Sequence, residues 1–444
     1  MIAGRIWVAT VAFLATLAAT PPPADDGLRP MERAQAHQML RETRQEIEKY
    51  YFDPKFAGID LAKAYATADE RISRSKSLPD ALSAIAQFTI ELGDSHTYFI
   101  PPQQTVKVDY GWAMQMVGDV CYIVTVKPGS DAARQGVRRG DRIETVNGYP
   151  PTRNNLWQLN YMFKTLRPQP GLHVVLRTPN GVTRELNLEA EVHRHARITD
   201  VNSDLGRQQI ELDNERVRST RKSLFVPIEP DVLIWRLPSF AVEESAIAYG
   251  LRMATHRLAL VIDVRGNGGG AERALLALIG GLSHSDITVG TIRGRDGDKP
   301  LAARGAGAGA FDGRLAVLVD SWSGSASELL ARTVQLSNRG TVFGDRTSGS
   351  VMRGRLSTLT AGYGEYRALF GISVTTADVV MSDAGRLERG GVTPDVEIMP
   401  SEADLASGHD PVLAKALTFL GHPTDAEHAG ALSEAFREAE MNAR

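Results

Sequence analysis

A chain of 444 residues is too long for one simple core and predicts two or three domains. Its 43% hydrophobic content is that of a globular protein, and a net charge of −3 with dispersed basic residues argues against nucleic-acid binding. The single cysteine, Cys121, rules out an intramolecular disulfide; within the apolar run Val120–Val124 it reads as a buried strand residue rather than a nucleophile.

Residues 1–19 read as a secretory signal. Arg5 gives a positive start, Ile6–Ala19 is apolar but for Thr10 and Thr16, and the small residues before Pro21–Pro23 place cleavage near Ala18 or Ala19. An uncleaved membrane anchor is the competing reading, although the run is short for a span. No later segment is long and apolar enough to cross a membrane, and export without disulfides fits a bacterial periplasm.

A polar linker occupies residues 20–30, and residues 31–104 predict a helical domain. Met39, Leu40, Thr43 and Ile47 recur at helical spacing, with further helices over 61–72 and 80–92 and a start signal at Leu78-Pro79-Asp80. Residues 105–192 change to short strands and tight turns. Strands are expected over 122–127, 142–146, 172–177 and 182–188, a short helix over 131–135 and a longer one over 154–166. Residues 193–230 form a charged connector. Residues 231–402 then alternate strands (232–237, 258–264, 315–319, 341–343) with helices (243–255, 271–282, 325–336), the pattern of an α/β domain. The Ala/Gly stretch 302–310 reads as a flexible loop, and residues 403–444 as a helical tail.

Two segments carry candidate chemistry in their own residues. Ser323-Gly324-Ser325-Ala326-Ser327-Glu328 follows the apolar run 315–319 and opens a helix, where free N–H groups can meet a developing oxyanion. Asp263-Val264-Arg265-Gly266-Asn267-Gly268-Gly269-Gly270 follows another buried strand, and its glycines allow close backbone approach to a ligand. It lacks the Gly-Lys-Ser/Thr ending and the G-x-G-x-x-G pattern of phosphate loops. His256, His284, His409 and His422 show no metal-ligand spacing, so neither a metal nor an organic cofactor is expected.

The run Val126-Lys127-Pro128-Gly129-Ser130, Asp131-Ala132-Ala133, Gly136-Val137, Gly140-Asp141-Arg142-Ile143 and Val146-Asn147-Gly148 resembles a PDZ domain. That resemblance implies capture of a peptide C-terminus, with Tyr110-Gly111-Trp112-Ala113 as the carboxylate loop. Together with Leu92-Gly93-Asp94-Ser95-His96-Thr97 and Glu388-Arg389-Gly390-Gly391-Val392-Thr393-Pro394-Asp395, the segments resemble the C-terminal processing (tail-specific) family of serine peptidases. The implied fold is a mixed α/β multidomain chain: a crotonase- or Clp-like β-β-α core, an N-terminal helical domain and an inserted PDZ domain.

By the same resemblance Ser325 is the nucleophile. The oxyanion donors are the N–H of Ala326 and one from Gly268 or Gly269. Ser327 and Glu328 then cap and charge the first helical turn. One branch of the family uses a lysine as base, yet no lysine lies between Lys299 and Lys415, and arginine is no substitute. The tricorn-like branch uses a histidine preceded by a serine, with a late glutamate; Ser95, His96 and Glu388 match. The implied activity is an exported serine endopeptidase acting on polypeptides. Two alternatives remain: a catalytically inactive peptide- or ligand-binding scaffold, and a Ser325–Ser350 site with an external base. Homo-oligomerisation is left open.

Overall fold

The computed structural model describes residues 28–103, 106–194, 222–228, 230–364 and 367–442, so the signal and most of the linker and connector lie outside the described residues. Three helices come first: α1 (Pro30–Tyr50), α2 (Leu61–Arg74) and α3 (Leu78–Ile90). Asp60 accepts the Lys63 N–H and Ser77 the Asp80 N–H, while Pro30 and Pro79 occupy first-turn positions that need no donor. Their apolar faces do not form a core alone. Met39, Leu40, Ile47, Ile72, Ile85 and Phe88 share one with Phe370, Ile372 and Val374 from far along the chain.

After β1 (Tyr98–Ile100), residues 106–194 form a second body. Strands β3 (Trp112–Val117), β4 (Val120–Val126), β5 (Arg142–Val146), β6 (Gly171–Arg177) and β7 (Thr183–Glu189) pair in that order, and β2 (Val106–Asp109) pairs with β8 (Glu191–Arg194). Alternation along β3 buries Trp112, Met114 and Met116 on one face. Helix α4 (Asp131–Arg134) is one turn. The helix expected over 154–166 runs over 156–166, with α5 (Leu156–Tyr161) widening into a π-turn over Met162–Leu166. Cys121 is buried in β4, and burial pushes its thiol up to about 12.

The remaining chain builds two sheets. Strands β9 (Leu224–Ile228), β10 (Val232–Arg236), β11 (Ala259–Asp263), β14 (Arg314–Val319), β15 (Thr341–Gly344) and β18 (Val396–Glu397) make a six-stranded sheet, parallel except between β9 and β10. Every residue of β11 is buried, as expected of a central parallel strand with both faces covered. Helices α6 (Glu244–Ala254), α7 (Glu272–Gly281) and α8 (Ala326–Leu336) share the core on one face. On the other, Val412, Leu413, Leu417 and Phe436 pack with Val232, Ile234 and Phe343. These come from α10 (Pro411–Phe419) and α11 (Ala426–Asn442), which follow the short α9 (Glu402–Ser407), so the expected tail is a structural layer.

The other sheet runs β1, β17 (Ala368–Met381), β12 (Ile287–Gly294), β13 (Gly297–Ala303), with β16 (Met352–Ala361) on the opposite edge of β17. It corrects the flexible-loop reading of 302–310. Ala302 and Ala303 pair with Thr288 and Ile287, Ala303 is buried, and Gly305 packs too close to the Ser285 backbone for any Cβ. No helix among the described residues is long and apolar enough to cross a membrane.

Candidate active site

Strands β11 and β14 are parallel neighbours, so the loops after them, 264–271 and 320–325, leave the sheet side by side. Asn267, fully buried, fastens one to the other. Its Nδ2 donates to Leu237 O at 2.9 Å, and its own carbonyl accepts the Gly324 N–H at 2.9 Å and the Ser327 hydroxyl at 2.8 Å. Asp320 Oδ1 adds a second tie, accepting Gly266 N–H at 2.8 Å and Trp322 N–H at 3.0 Å. Gly269, at φ +103°, lies against the serine loop, and a Cβ there would stand 2.6 Å from Ser325 Cβ.

The three serines of the loop differ sharply. Ser323 donates to Val264 O at 2.9 Å and Ser327 to Asn267 O, whereas no acceptor among the described residues takes the Ser325 hydroxyl proton. Ser325 sits at φ +53°, ψ −114°, outside the ordinary basins, at a cost of about 1–3 kcal/mol. Two bonds hold it there: its N–H donates to Ser350 O and to Glu328 Oε2, each at 3.0 Å. Of the candidate oxyanion donors, Gly269 N–H is already given to Asn267 Oδ1 at 2.8 Å. The amides of Gly268 and Ala326 have no acceptor among the described residues.

Ser95, His96 and Glu388 are brought together across almost three hundred residues. Glu388 accepts the Ser95 N–H at 2.9 Å, the Ser95 hydroxyl at 2.9 Å and the Val351 N–H at 2.8 Å. Ser95 has a single hydroxyl proton. Donated to Glu388, it leaves Oγ to accept Nδ1–H of His96 at 2.7 Å, so Nε2 carries the free lone pair. Burial lowers the His96 pKa below its ordinary 6.5, with Asp94 opposing. Burial raises that of Glu388 above the carboxylate norm, against the hydrogen bonds it accepts. No hydrogen bond joins His96 to Ser325 among the described residues; a Cβ on Gly354, in the strand that follows Val351, would lie 3.3 Å from His96 Cδ2.

Ser327 departs from its expected capping role, whereas Glu328 fills its own and does more. Ser327 faces the neighbouring loop. Glu328 does take the Ser325 N–H, but it is fully buried and also collects the segment 347–350. Its Oε1 accepts Thr347 Oγ1–H at 2.6 Å and Gly349 N–H at 2.8 Å; Oε2 accepts Ser350 N–H at 2.9 Å and Ser348 Oγ–H at 3.2 Å. Burial raises its pKa, with these bonds opposing.

Tyr110, Gly111, Trp112 and Ala113 are placed less simply than expected. Tyr110 donates its hydroxyl to Phe163 O at 2.9 Å, and Gly111 spends its N–H on Asp109 Oδ1 at 2.8 Å. Trp112 and Ala113 already pair with Val126 and Thr125 inside the sheet. The edge strand β3 abuts the serine loop: Gln115 Nε2 donates to Asp320 Oδ2 at 2.7 Å, and Ser321 Oγ to Met116 O at 2.6 Å. Sequence reasoning missed Asn267 and Asp320; the one available signal was an amide and a carboxylate at strand ends, next to glycines. Among the described residues no three His, Cys, Asp or Glu side chains stand together as metal ligands.

Residues 231–398 match the model of peptidase family S41. The chain is 24% identical over 405 residues to the chloroplastic C-terminal processing peptidase of Tetradesmus obliquus, covering 84% of this chain and 79% of that one. It is also 24% identical to the tail-specific protease of Haemophilus influenzae, over 65% of this chain and 41% of that protein. In fold it resembles the crystal structure of mature CPAF, with a TM-score of 0.64 at 14% identity, covering 93% of this chain and 98% of that one.

Proposed function

We propose that this chain, which belongs to peptidase family S41 and is a serine-type peptidase, cleaves polypeptides through an acyl-enzyme on Ser325. Ser325 Oγ attacks the scissile carbonyl carbon, and its proton passes to His96 Nε2. The amides of Ala326 and Gly268 receive the oxyanion, since the Gly269 amide is occupied. His96 then protonates the departing amine, the C–N bond breaks, and a water activated by the same Nε2 releases the acyl group. Throughout, Ser95 and Glu388 hold Nδ1–H and stabilise the imidazolium. Substrate seating draws His96 and Ser325 into hydrogen-bond reach, a tightening common from apo to bound states. The observation that carries this reading is the Glu388–Ser95–His96 relay, which leaves Nε2 with the lone pair a base needs.

The same reading assigns residues 105–192 as a PDZ domain that recruits or gates substrate. Its support is the five-stranded sheet with α5 beside the edge strand β3, which is the geometry for adding a peptide strand. The apolar stretch Ile6–Ala19 supports export into a periplasm. The test compares wild type, Ser325→Ala, His96→Ala and Ser350→Ala on an unfolded polypeptide and with a fluorophosphonate probe. Loss of Ser325 or His96 is expected to lower turnover by ~10⁴-fold, and Ser350→Ala to stay near wild type. Probe labelling that persists in Ser325→Ala would remove the assignment.

A further inference from the structure

We infer that Glu328 is a positioning residue whose carboxylate, through the single residue Ser350 and its peptide link to Val351, keeps the Ser325 loop and the His96 relay in register. The inference rests on the roles proposed above for Ser325 and His96. A fully buried carboxylate is costly unless its lone pairs are filled, and here five donors fill them. Capping α8 needs one of the five. The other four all come from Thr347, Ser348, Gly349 and Ser350, a segment with no catalytic group assigned to it.

The direction of successive amides gives that segment its purpose. Ser350 N–H points to Glu328, and the next amide, Val351 N–H, points to Glu388. A buried carboxylate, Glu328, and a half-buried one, Glu388, are thus held by the two successive amides on either side of Ser350. The first fixes the unusual backbone of Ser325, to which the Ser350 carbonyl also binds. The second fixes Ser95 and through it the tautomer of His96. Gly349, at φ +71°, leaves no room for adjustment, because a Cβ there would meet the Arg389 backbone at 2.8 Å. The Arg389 N–H in turn donates to Gly349 O at 2.7 Å, tying the residue after Glu388 back to the same strut.

Glu328→Gln preserves volume but replaces one oxygen by an NH₂ group. Each oxygen receives at least one backbone N–H, so whichever way the amide lies, a donor faces a donor. Acylation of Ser325 by the fluorophosphonate and kcat, normalised to folded protein by near-UV circular dichroism, are expected to fall about 10²-fold, with KM changed less than about twofold. Glu328→Gln combined with Glu388→Gln should lose much less than the product of the two single losses, because both act on one strut. Ser348→Ala removes only one exposed donor, keeps the fold, and should slow acylation a few-fold; it decides the matter if Glu328→Gln does not fold.

Wild-type acylation in Glu328→Gln or, failing that variant, in Ser348→Ala would overturn the inference. So would single losses that multiply in the double variant. An inert Ser325→Ala beside a fully active Glu328→Gln sinks the strut alone; an active Ser325→Ala sinks the nucleophile reading first.

Discussion

In the proposed mechanism His96 decides how the protein responds to pH. Desolvation favours its neutral form, and only that form can take a proton from Ser325. As pH falls, His96 protonates and kcat/KM falls with it. Since the folded pKa lies below the ordinary 6.5, kcat/KM at pH 6.5 should exceed half its plateau; an acid limb centred at or above 6.5 would contradict the burial argument. The gathering of Ser95, His96 and Glu388, which a missing lysine and a short motif single out, was legible in the sequence, as was the place of Ser325 at the head of a helix. Glu328 was legible only as a helix cap, because helix position tells which turn a carboxylate joins and not what the rest of the chain folds over it. Gly268 and Gly269 were indistinguishable for the same reason: the Asn267 side chain that occupies one amide is a tertiary contact.

Between elements, α6 packs tightly on β10. Gly250 faces the buried Trp235, and a Cβ there would stand 2.3 Å from the indole ring. Gly250→Ala would gain about 1 kcal/mol of helix propensity yet force the helix off the sheet, an overpacking cost of about 1–3 kcal/mol. A net fall in the urea midpoint is expected; a rise would show that α6 can shift freely. Strands such as β11 were readable because burial on both faces leaves a continuous apolar run. Strand β16 was not, because Arg353, Gly354, Arg355, Thr358 and Thr360 are exposed on an edge and give no period-two signal. Strand β17 is nearly all buried, but Gly371, Ser373, Thr375 and Thr376 interrupt its apolar run.

Across the whole molecule, the C-terminal helices lie outside the matched span 231–398 yet reach the residue that leads into the glycine loop. Arg265, just before the glycine loop, donates to Asp263 at 2.9 and 2.8 Å and to Asp410 Oδ1, at the start of α10, at 3.0 Å. Asp410 also accepts the Leu413 N–H at 2.9 Å and the Ser433 hydroxyl, so two C-terminal helices converge on one carboxylate. Burial alone would raise the pKa of Asp263, but Arg265 and Arg236 pull it below the usual carboxylate range. Asp263 therefore adds stability above its unfolded value of 3.8, and this is lost as pH falls through its lower folded value. Asp410→Ala strips one partner from a buried cation and two donors of their acceptor, a class of change that costs about 3–5 kcal/mol. The urea midpoint should fall accordingly, and kcat should fall in the protein that remains folded, because Gly266 to Gly268 hang from Arg265. An unchanged midpoint would mean that the C-terminal layer only covers the sheet; a lowered midpoint with unchanged kcat would mean that Asp263 alone holds the loop.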